Sequence, residues 1–265
     1  MRKFAENYPD ANCAAAAAQL PWGHNMVLLD KLSDLSQRLW YVQQAIENGW
    51  SRSMLEMWIE ANLYKRKGKA ITNLKQALPM PQSDLAQQSL KDPYNFGFLS
   101  LDKEHREKEL EQGLIDHLQK FLVELGDGFA FMGRQFKVEV EDEDYLIDLL
   151  FYHVKLRCYF IVELKATAFD PRDAGQMNFY LSAVDDHLRH PDDQPSIGIL
   201  ICRTKNKVKV EYALRNCNSP ISVSSYETKI YKTLPKKLKS SLPTVQEIEA
   251  ELSIVKTPKK KKKKV

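Results

Sequence analysis

Apolar residues along the first third of the chain recur at three- and four-residue steps. Val27, Leu28, Leu32, Leu35, Leu39, Val42 and Ile46 mark one such stripe, which predicts an amphipathic helix over about 25–48 that stops at Asn48-Gly49. Ser51 then stands as an N-cap, and Leu55, Trp58, Ile59 and Leu63 carry a second helix. A short third helix is expected over 71–78, before Pro79, Pro81 and Pro93 interrupt any continuous run. The alanine run at 14–18 suits a helix end or a loose lead-in.

Beyond Pro93 the period changes. Leu110, Leu114, Leu118, Phe121, Leu122 and Leu125 predict a helix over about 103–125, closed by Gly126 and Gly128. Strands are expected at 129–140, 145–152 and 157–164, then a helix from Pro171 to about 188, then strands at 197–202, 208–213 and 221–223. The order helix, three strands, helix, strands predicts an α/β (α+β) layered core preceded by a small all-helical unit. The domains expected are 1–92 helical, 93–253 α/β, and 254–265 a disordered lysine-rich tail.

Composition allows packed cores, with 43% hydrophobic and 10% aromatic residues. The formal charge of +4 conceals a split. The last ten residues hold seven lysines and no acid, so residues 1–255 sum to −3. No stretch reaches the roughly 20 apolar residues of a membrane span, and no secretory pattern opens the chain. Cys13, Cys158, Cys202 and Cys217 form no CxxC pair, which argues against zinc ribbons and fits a reducing cytoplasm.

The densest chemistry lies in two neighbouring strands. Asp148 interrupts the apolar YLIDLLFYH, while Glu163 and Lys165 stand two apart in YFIVELKA and so leave one strand face together. Three charges in two apolar strands need a reason. One is an ion pair in which Lys165 satisfies Glu163 or Asp148. The other is a divalent-metal site built from Asp148, Glu163 and the Leu164 carbonyl, with Lys165 orienting a water and offsetting charge on phosphate oxygens.

Asp148, Glu163 and Lys165 resemble the signature of the PD-(D/E)XK nucleases, with Ile147 in place of proline. Longer segments sharpen the resemblance: KDPYNFGFLSL, FLVELGDGFAFMGRQ, YLIDLLFYH, LRCYFIVELK, AGQMNFYLSAVD and PSIGILICRTKN, with QLPWGHN, ENGWSR and LPMPQSDLA upstream. Together they resemble the YhcG-type family of bacterial PD-(D/E)XK nucleases from residue 20 to about 250. The resemblance implies a restriction-endonuclease-like αβββαβ core and Mg²⁺-dependent (or Mn²⁺-dependent) cleavage of DNA, with likeness to Holliday-junction resolvases. RNA is a weaker alternative substrate, and neither a membrane nor a small-molecule cofactor is implied. A DNA-binding or assembly protein that keeps the fold and works through partners is the competing function.

Comparison with the superfamily further implies a metal-holding glutamate on the preceding helix, Glu111, with Glu109 and Glu124 as neighbours able to serve instead. It also implies a catalytic Gln176 and Tyr180, whose Q-x-x-x-Y spacing puts both on one helix face. Gln135 and Arg134 resemble cleft-lining positions, Arg134 contacting phosphate. Basic candidates for nucleic-acid contact are Lys65, Arg66 and Lys67, and the alternating Lys205, Lys207 and Lys209 on an expected strand face. The helical unit suits either a helix-turn-helix-like reader or an oligomerisation module using Trp40, Trp50 and Trp58. Relatives commonly read DPYVFDFL where this chain has Gly97 in place of an acid. MRKFAENYPDA resembles the middle of the family's helical domain, so the resemblance implies further helices ahead of it.

Overall fold

A computed structural model of the chain describes residues 2–8, 10–101 and 104–228. The lysine-rich segment 254–265 lies outside them. In chain order the helices are α1 Arg2–Asn7, α2 Ala11–Ala18, α3 Trp22–Lys31, α4 Leu35–Glu47, α5 Arg52–Glu60, α6 Leu63–Arg66, α7 Leu74–Ala77 and α8 Gln82–Ser89. Then come α9 Glu107–Asp116, α10 Leu118–Leu125, α11 Pro171–His187 and α12 Lys207–Leu214. The strands are β1 Ile71–Thr72, β2 Tyr94–Asn95, β3 Phe129–Val140, β4 Glu143–His153, β5 Cys158–Ala168, β6 Ile197–Thr204 and β7 Ile221–Glu227.

Two local signals act as expected. Ser51 accepts a hydrogen bond from the Met54 amide and starts α5, and Gly49 takes φ 61° in the turn before it. The single helix expected over 25–48 is instead α3 and α4, because Asp34 caps a fresh start by accepting from the Gln37 amide at 2.7 Å. Tyr41, Val42, Leu28, Leu55 and Trp58 close the core of this helical portion.

The sheet runs β1-β7-β6-β5-β4-β3, and β2 pairs in parallel with the end of β7 at Tyr226 and Glu227. β3, β4 and β5 are antiparallel; β5, β6 and β7 are parallel. Parallel neighbours need a crossover, and α11 and α12 supply the two that are required. This corrects the strand expected at 208–213. KVKVEYAL alternates like a strand, yet it is the β6-to-β7 crossover helix, capped by Asn206 accepting from the Lys209 amide. The helix expected at 71–78 likewise splits into β1, which pairs with β7, and α7.

Each face of the sheet has its own apolar layer. Leu110, Leu114 and Phe121 of α9 and α10 pack on Phe151, Phe160 and Val162, joined by Leu74, Ala86 and Leu90 from the helices before Pro93. Met177, Leu181 and Val184 of α11 pack with Leu150, Ile161 and Leu200 on the opposite side. Cys158 and Cys202 are buried packing residues whose thiol pKa burial pushes up to about 12. Among the described residues no helix is long and apolar enough to cross a membrane.

Candidate active site at the parting of two strands

The site arises where β4 and β5 stop pairing. Their ladder runs from His153–Cys158 to Leu149–Val162 and ends there, while β4 continues along β3 and β5 along β6. The next two positions would be Asp148 opposite Glu163 and Ile147 opposite Leu164. Side-chain oxygens take over at this point: Glu163 Oε1 accepts from the Asp148 amide at 3.1 Å, and Asp148 Oδ2 accepts from the Leu164 amide at 3.0 Å. Two backbone donors at the gap are thus satisfied by the carboxylates themselves.

The gap lets both helical layers reach one place. From α9, Glu111 accepts from Gln135 Nε2 at 2.7 Å, and the same nitrogen donates to Asp148 Oδ1 at 3.2 Å. Gln135 sits on β3 between the pairs Arg134–Leu149 and Phe136–Ile147, with its backbone at φ 43°. A non-glycine residue held in that region opposite the site's aspartate is a strained position kept by its surroundings. From α11, Gln176 Oε1 accepts from Lys165 Nζ at 3.4 Å and its Nε2 donates to the Tyr180 hydroxyl at 2.9 Å. Tyr180 in turn donates to the Leu146 carbonyl on the diverged part of β4, at 3.3 Å. Lys165 Nζ stands 3.8 Å from Glu163 Oε2.

Electrostatics follow from this crowding. Glu163 is 3% exposed, and burial, reinforced by the Asp148 charge, raises its pKa well above the carboxylate range. Burial and then Asp148 also raise Glu111, against the pull of Gln135 and Arg134. For Lys165, burial works to lower the pKa, but Glu163, Glu107, Asp173 and Asp148 outweigh it and the net direction is up. Lys165 is therefore a cation at neutral pH. Glu107 is a member of this set that the motif does not name. Its i, i+4 spacing with Glu111 on α9 was the available signal.

The donor set is all oxygen, two carboxyl groups with a backbone carbonyl beside them, which suits a hard divalent cation rather than a soft one. Asp148, Glu163 and the Leu164 carbonyl are the residues that would hold it. Among the described residues no three His, Cys, Asp or Glu side chains gather closely enough to hold a metal by themselves. Glu111 meets Asp148 through the Gln135 amide.

The other expected site residues fall elsewhere. Arg134 is exposed, donates to Gln112 at 2.8 Å and lies 4.0 Å from Glu111. Glu109 accepts from the Arg106 amide at the start of α9. Glu124 is buried against Arg66 at 2.6 Å, far along the fold from the gap. Arg66 also donates to the Ala61 and Pro93 carbonyls, so it ties the helical portion to α10 and presents no guanidinium to a ligand. Lys205 is drawn into an ion pair with Asp92 beside Ser225. Lys207 and Lys209 lie on α12, where residues two apart point to different sides, so no three-lysine strand face forms. Lys65 is exposed and Lys67 is half-buried.

Comparison with known proteins gives the family. Residues 87–243 match the model of the YhcG PDDEXK nuclease domain, and residues 1–66 match that of the DUF1016 N-terminal domain. A curated Escherichia coli (strain K12) protein named "Putative nuclease YhcG" is 37% identical over 207 residues, which is 77% of this chain and 55% of that protein. The chain thus spans about half the length of the curated relative it matches. Among solved structures, a repair endonuclease from Pyrococcus abyssi is 12% identical with a TM-score of 0.32, over 49% of this chain and 50% of the other. A likeness of that size bears no weight beside the domain match. With more than half of its length matching the nuclease-domain model, the chain belongs to the YhcG PDDEXK nuclease domain family.

Proposed function

We propose that the chain is a divalent-metal-dependent endonuclease that hydrolyses phosphodiester bonds in DNA, with Mg²⁺ or Mn²⁺ as the ion and branched or foreign DNA, Holliday junctions included, as candidate substrates. The observation that supports this reading is the parting of β4 and β5, which gathers Asp148, Glu163, Lys165 and Gln176 at one opening.

Hydrolysis needs a water oxygen to add to phosphorus while one ester oxygen leaves with its bonding electrons. A bound divalent ion supplies Lewis-acid polarisation of the phosphate and activation of the water. Lys165 supplies fixed positive charge. Its ammonium has three donors, and Gln176 Oε1 occupies one. A phosphate oxygen gaining negative charge as water adds is the natural acceptor for another. Tyr180 locks this arrangement: it accepts from Gln176 Nε2, so the amide oxygen must face Lys165. Asp148 and Glu163 orient each other through backbone amides and keep the oxygen donors aimed into the gap.

The test is cleavage of linear, branched and single-stranded DNA and of RNA by wild type and Lys165→Ala, with and without Mg²⁺. Loss of roughly 10²-fold or more in rate is expected in the variant. Metal-independent cleavage, or cleavage untouched by Lys165→Ala, sinks the assignment.

A further inference from the structure

Two cavities lie away from the parted strands and share a wall. The first, about 560 Å³, is lined by Trp40, Gln44, Tyr64 and the lysines 65, 67 and 69. The second, about 760 Å³, lies between the helical portion and α10, with Trp50, Trp58, Lys91 and Lys155 among its walls. Lys67 and Gln88 line both. Asp127 is the one acid in either wall among the described residues.

Aromatic faces and ammonium groups alternate along this path. Trp40 and Tyr64 meet edge to face at 5.3 Å, and Lys67 Nζ lies 5.8 Å from the Trp40 ring centre. In the neighbouring cavity Trp50 and Trp58 are 6.0 Å apart, with Lys91 Nζ 5.6 Å from the Trp58 ring. Trp58 is 4% exposed and backs the cavity wall behind Trp50.

We infer that the two cavities form a path for an unpaired nucleic-acid strand, bases against Trp40, Tyr64 and Trp50 and phosphates along lysines 65, 67, 69 and 155, with the buried Trp58 backing Trp50. This deepens the nuclease reading and rests on it for the expectation that the chain meets nucleic acid. Lysines alone would serve any polyanion. The interleaved rings select for flat bases, which a duplex keeps stacked inside and an acidic peptide lacks. Lys91 spends two of its three donors on the Glu124 and Leu125 carbonyls at the end of α10, so it fixes the wall.

Three of the four tryptophans line the path, so intrinsic fluorescence reports on it directly. The full chain carrying Lys165→Ala is titrated in EDTA with an oligothymidylate of about 12 nucleotides, a blunt duplex of equal length, thymidine monophosphate and polyglutamate. Strong quenching by the oligothymidylate alone is expected. Lys65→Glu with Lys69→Glu, both at exposed positions, should weaken it by about ten-fold or more at low salt and flatten its salt dependence. Trp58→Phe should reduce the quenching amplitude. Equal binding of duplex, polyglutamate or the mononucleotide, or affinity unchanged by the double reversal, overturns the inference. Absence of quenching by the oligothymidylate does so too. Since no cleavage is measured, failure of the nuclease reading leaves this result standing. A chain that cleaves DNA but shows no such quenching refutes the strand path alone.

Discussion

Replacing Glu163 by Gln isolates the charge that the site gathers at its centre. The side chain is 3% exposed and its nearest like charge is Asp148, whose amide it accepts from. Glutamine keeps the shape and can still accept that bond through its amide oxygen. What it removes is a buried negative charge whose burial and repulsion by Asp148 exceed the attraction of Lys165, as the upward direction of the pKa requires. In the unfolded chain the carboxyl ionises near its ordinary value of about 4.3. Above that pH the folded state must hold a group that prefers to be neutral, so wild-type stability falls as pH rises toward the elevated folded value. The cost is absent near pH 4. At about 1.4 kcal/mol for each tenfold gain in proton affinity, and with allowance for relaxation, it reaches about 1–3 kcal/mol by pH 8. In EDTA at about pH 8, Glu163→Gln should melt higher than wild type by roughly 2–10 °C. Near pH 4 the two should coincide. Millimolar Mg²⁺ should reverse the order at alkaline pH, because an ion that binds only the folded site stabilises the chain that retains its ligands. Thermal melts at the two pH values, with and without the ion, are sufficient. A variant that melts below wild type in EDTA by the same margin at both pH values would show that Glu163 carries no charge strain, and a bound cation would then have no buried repulsion to relieve.

Further expectations are local. His153 is buried between Phe129 and Phe160, and burial, aided by Lys155, lowers its pKa to about 4. Its Nδ1 accepts from the Leu156 amide, so it folds as the neutral ring and resists protonation. Stability should therefore drain away as pH falls from about 6.5 toward 4, by about 3 kcal/mol in all; His153→Phe should flatten that limb in pH-dependent denaturation, and an unchanged limb would refute the assignment. Arg66→Met strands Glu124 in the interior and should cost about 3–5 kcal/mol in chemical denaturation, with a substantial part restored by adding Glu124→Gln. Asn206→Ala should cost about 1 kcal/mol, read the same way, because it removes the cap that starts α12.

Strand alternation made the chemistry of the site legible. Glu163 and Lys165 had to share a face, Asp148 stood out against an apolar strand, and the spacing of Gln176 and Tyr180 required a common helix face. The structure brings all five together, with Glu111 and Gln135 beside them. Decisions made by distant partners stayed hidden. Lys207 to Leu214 alternates well enough for a strand, and becomes a helix because β6 and β7 are parallel and need a crossover. Arg66 and Lys205 read as surface cations in their own neighbourhoods. Glu124 and Asp92, remote in sequence, take them inside.

The position of the site also accounts for why these side chains can be both buried and chemically open. An uninterrupted β4–β5 ladder would set Asp148 directly opposite Glu163, two carboxylates side by side in the interior with no opening between the strands. With the ladder ending at Leu149–Val162, the Asp148 amide donates to Glu163 and the Leu164 amide to Asp148, so each carboxylate has a backbone donor at the gap. The opening admits Glu111 through Gln135 from one layer and Gln176 with Tyr180 from the other, and Lys165 stands between them as the fixed cation. Filling the gap with an apolar pair such as Asp148→Leu with Glu163→Val should therefore extend the β4–β5 ladder and slow hydrogen exchange at one of the two facing pairs, 148 with 163 or 147 with 164, while abolishing cleavage. Retained fast exchange there would mean that the strands part for reasons other than these carboxylates.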